Sequence, residues 1–319
     1  METRKIQKTG GSTYIVSLPK RWVLENGLEN GNAVAIEADE RSLRLWNPRA
    51  DQGERRISLD VGRDRKMLER LFTSAYIKGF DSIEIKNASM IDIETKEFIK
   101  TMTKRFIGME VVNEKRDMVQ INSIVGPGGI SVKNALRRMI TITTTMLEDS
   151  LTILDKIDER MCNDITGRDY DVNRLNLFII RRCHEILEGK VDEEAEKRDV
   201  PDFLLFSRTV ERIADHSKSI AANAVLLKGQ GELKKELEES GDVAVRLYRD
   251  TTGAFFKNDA EGANKIIDEA RSMAERMRSI KAQSVPMAYI IESMRRCFSY
   301  TSDLGEIVVN HSVTTLADK

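Results

Sequence analysis

Cysteine, histidine and long apolar runs are scarce in this 319-residue chain, and each shortage excludes something. The 3 cysteines, Cys162, Cys183 and Cys297, are far apart, odd in number and without Cys-x-x-Cys spacing. They fit reduced, buried thiols of a cytoplasmic protein rather than a disulfide framework. No segment approaches the ~20 uncharged apolar residues of a membrane span, and METRKIQKTGG lacks the apolar core of a signal peptide, so no membrane insertion is expected. Charge of one sign is also missing. The 51 Lys+Arg and 52 Asp+Glu leave a formal net charge of -1, so no global field drives the chain toward nucleic acid or acidic membrane, and any such binding must be local. Of the 3 histidines, His184 and His311 stand apart from any metal-like spacing. No Ser-His-Asp or Cys-His set has suggestive context, and Gly126-Pro127-Gly128-Gly129 lacks the Lys-Ser/Thr of a phosphate loop and reads as a hinge.

What is present falls into three compositional regions. Residues 1–48 read as short strands, IQKTG, STYIVSLP, AVAIEA and LRLW, separated by turns at Gly10-Gly11, Glu29-Asn30-Gly31 and Asp39-Glu40. The stretch KRWVLENGL reads as a turn or two of helix closed by Gly27. Such a unit has too few apolar residues to bury a core alone, and pairing with a copy of itself is expected. A linker at residues 49–55 leads to residues 56–125, where strand and helix patterns alternate as in a small α+β domain with no assigned task. Residues 130–312 carry 3.6-residue periodicity. The pattern predicts helices over Val132 to Met161, Val172 to Gly189 and Asp202 to Lys228, then Leu233 to Phe256, Ala260 to Ala282 and Met287 to Asn310. The GQGE stretch at 229–232 separates two three-helix halves, 130–228 and 233–312.

One pair of residues asks for an explanation. Glu211 and Asp215 stand one helical turn apart, where like charges repel by a few tenths of a kcal/mol. They share the shoulder of a helix whose packing face is Phe206, Val210, Ile213, Ser217, Ala221 and Ala224. The preceding helix offers Asp169, Asp171 and Asn173, placed near its N-terminal end. Oxygen ligands of this type on facing helices favour Mg²⁺, Mn²⁺ or Fe. The competing reading is a solvated acidic shoulder relieved by Arg208 and Arg212, and spacing alone does not decide between them. His216 points away from this side.

RTVERIADHSKSIA closely resembles the signature helix of the PhoU family, and DVNRLNLFIIRR looks like that family's second helix. The resemblance covers roughly residues 130–312. It implies tandem three-helix bundles, a role in regulating phosphate uptake, and metal held by acidic helix faces, here Asp169, Asn173, Glu211 and Asp215. In the second half Arg295 and Ser299 replace the two acids if Tyr300 takes the place of His216, so at most one metal surface is expected.

RKIQKTGGSTYIVSLPKRWVLENGLENGNAVAIEADERSLRLW resembles the SpoVT/AbrB family, in which two hairpins exchange between subunits. That implies a swapped-hairpin β module and a homodimer through residues 1–48. Arg4, Lys5, Lys8, Lys20 and Arg21 against the single acid Glu2 make DNA binding an expectation, since basic side chains over paired strands could neutralise phosphates. The combined expectation is a multidomain, cytoplasmic, non-enzymatic regulator of phosphate uptake that binds DNA and senses phosphate status through a transporter or sensor protein. The rivals are an adaptor that docks on a transporter ATPase without binding DNA, and a metal-dependent hydrolase.

Overall fold

Short alternating stretches broken by glycine turns can form hairpins but little more, and the N-terminal residues do so. The computed structural model describes residues 2–38, 42–47, 54–62, 64–126, 129–155, 158–191, 195, 197–227 and 235–317. Residues 49–53 of the linker expected over 49–55, the Asp39-Glu40 turn and the GQGE stretch lie outside these residues. The chain divides into two compact units, residues 1–54 and 55–319.

In the first unit, β1 (Gln7–Thr9) pairs antiparallel with β2 (Thr13–Ile15), and β3 (Ala35–Ala38) with β4 (Leu43–Trp46). Between the hairpins lies α1 (Lys20–Glu25). Gly27 stops this helix at φ +59, a conformation that glycine adopts without a Cβ penalty.

The second unit begins with β5 (Arg56–Asp60), α2 (Arg65–Ile77), β6 (Ser82–Lys86), α3 (Ile93–Thr103), β7 (Met109–Glu114) and β8 (Met118–Ser123), the order that the sequence pattern predicts. The sheet order is β5-β6-β8-β7. Strands β5 and β6 are parallel, joined by α2, and the other neighbours are antiparallel. Ile83, Ile85, Val119 and Ile121 belong to the same apolar cluster as Phe72 and Tyr76 of α2 and Phe106 just beyond α3.

Six helices follow: α4 (Val132–Asp155), α5 (Glu159–Glu188), α6 (Val200–Leu226), α7 (Lys235–Lys257), α8 (Ala260–Ser279) and α9 (Val285–Ala317). They share one continuous core, with Phe178, Phe206, Leu247 and Phe298 inside it. Helices α6 and α9 run antiparallel at its centre: Asp202 Oδ2 meets His311 Nδ1 at 3.0 Å near one end, and Ser293 Oγ donates to Ser219 Oγ at 3.1 Å toward the other. Gly305 lets α9 approach α8, since a Cβ there would lie 2.6 Å from Ile267 Cγ1.

The sequence reading misplaces one boundary. It carries the first helix to Met161 and starts the second at Val172, whereas α5 starts at Glu159 and runs for 30 residues. Asp158 is the cap, its carboxylate accepting from the Arg160 N–H at 2.8 Å. Gly167, upstream of the expected helix start, sits inside the helix with open space beside it. An interior glycine costs only about 1 kcal/mol, and packing on both sides of it overrides that.

The α+β region and the helices belong to one unit because α5 grips the end of α2. The C-terminal carbonyls of a helix lack partners and carry negative partial charge. Arg181, whose side chain is only 5% exposed, donates to Tyr76 O at 3.0 Å and Phe80 O at 2.8 Å, while its Nε reaches Glu185 at 2.9 Å. Arg55 donates to Lys78 O at 2.7 Å and to Glu188. The expected border near Val125 is therefore a change of architecture within one body. Arg181→Met takes the donor from Phe80 O, leaves Tyr76 O with only the Gly79 N–H, removes one cation from the buried Glu185, and should cost about 3 kcal/mol. Urea unfolding of the full chain should show it as a lower midpoint, with far-UV circular dichroism of the folded state unchanged.

Candidate functional site on an acidic helix seam

Two periodic rows face each other across the α5–α6 contact. Asp169, Asn173 and Asn176 recur at i, i+4 and i+7 on α5, and Glu211, Asp215 and Lys218 do so on α6. Asp169 therefore lies in the interior of α5, not near its N-terminal end as the sequence suggested.

Lys218 organises the seam. Its Nζ lies 2.5 Å from Asp169 Oδ2 and 3.5 Å from Asp215 Oδ1, bridging the helices. Asn173 Nδ2 donates to the Asp169 main-chain oxygen at 3.0 Å and to its Oδ2 at 3.3 Å. At the other end of the row, Arg208 Nη1 comes within 3.0 Å of Glu211 Oε2. Its alignment gives no hydrogen bond, because Glu211 Oε2 remains without a hydrogen-bond partner, as do Asp169 Oδ1 and Asn176 Oδ1. Asp169 is 7% exposed and Glu211 6%.

The electrostatics follow from that burial. Loss of water pushes the Asp169 pKa up, and the hydrogen bond from Lys218 opposes the rise. Burial pushes Glu211 up as well, against Arg208 and with Asp215 and Asp169 adding to it. For Lys218 burial works against the charge, but the hydrogen bond and charge of Asp169 outweigh it and the pKa is raised.

The other expected residues divide clearly. Asp171 leaves the seam and pairs with Arg174 at 3.6 Å. Arg212 does not relieve Glu211 by an ion pair but sits over the Tyr300 ring at 5.5 Å, where His216 also packs, 5.7 Å between ring centroids. In the second half Arg295 forks onto Glu292, whose pKa is held down to about 2 by that hydrogen bond. In the first unit Arg4, Lys5, Lys8, Lys20 and Arg21 are all exposed, with Arg4 paired to Glu2 at 2.8 Å and Arg21 to Glu25 at 2.7 Å. Sequence reasoning missed Lys218 and Asn176, although both continue the i, i+4, i+7 rows that picked out the acids.

The residues present do not form a cage for a Mg²⁺, Mn²⁺ or Fe ion. Among the described residues no group of three or more His, Cys, Asp or Glu side chains could hold one. The cation at Asp169 and Asp215 is an ammonium of the chain itself.

Because the folded-state pKa of Glu211 lies above its unfolded value, the folded chain binds more protons in the interval between the two. Stability therefore falls as pH rises through that window, which opens at the unfolded-state pKa of Glu211 and extends upward. Glu211→Gln should raise stability at neutral pH by up to about 1 kcal/mol, and the gain should shrink toward pH 4. Urea titrations of both proteins across that range measure it; a variant less stable than the wild type at neutral pH contradicts the assignment.

Comparison with known proteins meets this geometry. The PhoU domain matches residues 136–224, which span most of α4 and all of α5 and α6 as far as Ala224. The family described as "Antidote-toxin recognition MazE, bacterial antitoxin" matches residues 7–49. A phosphate-specific transport system accessory protein PhoU homolog 1 of Thermotoga maritima is 24% identical over 196 residues, covering 56% of this chain and 84% of that protein. A PhoU homolog of Pseudomonas putida is also 24% identical over 196 residues, covering 56% and 76%. The crystal structure of the phosphate transport system regulatory protein PhoU from Streptococcus pneumoniae superposes with a TM-score of 0.50 at 20% identity, over 57% of this chain and 94% of that one. No helix among the described residues is long and apolar enough to cross a membrane. The helices that carry the acidic seam are thus a PhoU domain, and residues 7–49 are an AbrB-like domain of the antitoxin type.

Proposed function

We propose that this chain regulates phosphate transport from the cytoplasm, engaging a protein of the phosphate transport system through its helical bundle. The observation that carries the reading is the PhoU domain laid over the seam helices, together with relatives that are named accessory proteins of phosphate-specific transport. The names of the same relatives support a regulatory rather than catalytic role. The bundle offers a bound partner two differently charged halves: buried acids with Lys218 in the first, and the Arg295–Glu292 fork in the second. A partner that binds one bundle geometry better would shift the population toward it. In cells, deletion of the chain should change the rate of phosphate uptake or its response to phosphate supply, and re-expression should restore it. Uptake of labelled phosphate that is identical with and without the chain would refute this role.

The first unit supports the finer part of the proposal, a DNA-binding homodimer. Among its described hydrophobic residues only Leu28 is buried, while Tyr14 is 69% and Ile36 64% exposed, with Ile6, Ile15, Val16, Leu24, Leu43 and Trp46 also in the open. Two isolated hairpins with their apolar residues outward are marginal in water. A second copy supplies the missing layer, and hairpin exchange between copies is one way to do it. Pairing also doubles the patch of Arg4, Lys5, Lys8, Lys20 and Arg21.

Light scattering should therefore find dimers that Tyr14→Asp/Ile36→Asp disrupts. On DNA from its own upstream region, the slope of log affinity against log salt should fall by about 0.9 for each phosphate contact removed, as in Lys5→Gln or Lys8→Gln. The specific alternative, an adaptor that only dimerises through this unit, is favoured by the ion pairs that already occupy Arg4 and Arg21. A dimer with no salt-dependent shift of DNA would select it.

A further inference from the structure

The seam joins two helices around a buried negative charge, a task that a divalent cation performs where carboxylates from facing helices converge. Here the cation is built in. Lys218 Nζ contacts Asp169 Oδ2 across the helix pair at 2.5 Å and Asp215 Oδ1 within its own helix at 3.5 Å. The same Asp169 oxygen also accepts from the Asn173 amide. A divalent ion that used this oxygen would have to displace both donors and sit beside an ammonium, two positive charges at close range on an oxygen whose side chain is only 10% exposed.

The oxygens left over do not complete a cage either. Asp169 Oδ1 and Glu211 Oε2 are buried and without hydrogen-bond partners, and Arg208 supplies positive charge beside the second of them. Three carboxylates, Asp169, Asp215 and Glu211, thus face two basic side chains, Lys218 and Arg208.

We infer that Lys218 is the resident counter-ion of the first bundle, standing where a metal would otherwise join α5 to α6 and making the seam independent of metal. The latent acceptors for a metal remain, held off by one ammonium. As they stand, Asp169, Asp215 and Glu211 form no cage; removal of that ammonium should leave them without the cross-helix cation and free their side chains to turn together onto a hard divalent ion. This inference stands whichever protein the bundle contacts, so its failure leaves the regulatory reading intact and the converse also holds.

The test uses the full chain, freed of metal with chelator, then given Mn²⁺ alone or Fe²⁺ alone and desalted. Metal content and thermal midpoint are measured for the wild type, Lys218→Met and Lys218→Met/Asp169→Asn. The wild type should retain no stoichiometric metal and unfold at the same temperature with chelator or with Mn²⁺. Lys218→Met should unfold earlier in chelator, retain metal, and recover its midpoint when Mn²⁺ is added. The double variant, which removes the uncompensated charge, should unfold later than Lys218→Met in chelator and ignore Mn²⁺.

Wild-type protein that retains stoichiometric metal and gains a higher midpoint with it overturns the inference. So does a Lys218→Met chain that unfolds with the wild type in chelator, or one whose lowered midpoint metal leaves unmoved. If Lys218→Met does not fold, the wild type and the double variant decide: metal uptake by either is the contrary result.

Discussion

A carboxylate that loses its water must gain a cation, and the Asp169–Lys218 pair is where this chain meets that demand. The partners stand on different helices, so neutralising the charge also fixes how α5 and α6 lie together. The same helix α5 makes a second ionic grip two-fifths of its length further on, where Arg181 donates to the carbonyls ending α2. One 30-residue helix thereby holds the acidic seam on one side and the α+β region on the other. Movement of α6 against α5 would be felt by both contacts. This gives residues 56–125 a mechanical relation to the bundle, fixed through α2, that their sequence alone did not suggest.

The two compact units show opposite balances of apolar material. The second contains a sheet with a filled helical layer and a bundle with one continuous core, and it needs nothing further to bury its hydrophobic residues. Among its described residues the first buries only Leu28, half-buries Leu18, Trp22, Val23, Val34 and Leu45, and leaves Ile6, Tyr14, Ile15, Val16, Leu24, Ile36, Leu43 and Trp46 outside. Completion by a copy of itself turns that shortage into an assembly rule and brings two sets of basic side chains onto one object. In the bundle, two sets of three helices, α4 to α6 and α7 to α9, carry different chemistry. His216 and Tyr300 pack together at the α6–α9 contact; if they are taken as matching positions, Arg295 and Ser299 stand in the second half where the first has its acids.

Much of this was legible from residue order. The β-α-β-α-β-β sequence of the middle region could be read because its apolar residues alternate where strands form and recur every three or four where helices form. Glu211 and Asp215 stood out because their repulsion is unprofitable for an isolated helix. The start of α5 was not legible: Gly167 and the polar GRDYD stretch mimic a turn, and only Asp158 capping the helix far upstream reveals its extent. That error displaced Asp169 toward a helix end, where a carboxylate needs no partner. Lys218 escaped notice for a related reason. A lysine on an amphipathic helix ordinarily reaches water, and its turn toward Asp169 depends on a neighbour 49 residues away. Arg181 was hidden likewise, inside an apolar run whose outer neighbour, α2, only the folded chain supplies.

The most direct measurement of the central claim is a high-resolution crystal structure of the wild-type chain grown with Mn²⁺ present, with anomalous scattering recorded for the ion. The account predicts Lys218 Nζ within hydrogen-bond distance of Asp169 and no anomalous peak between α5 and α6. A peak at the Asp169, Glu211 and Asp215 carboxylates, with the lysine swung into solvent, would contradict it.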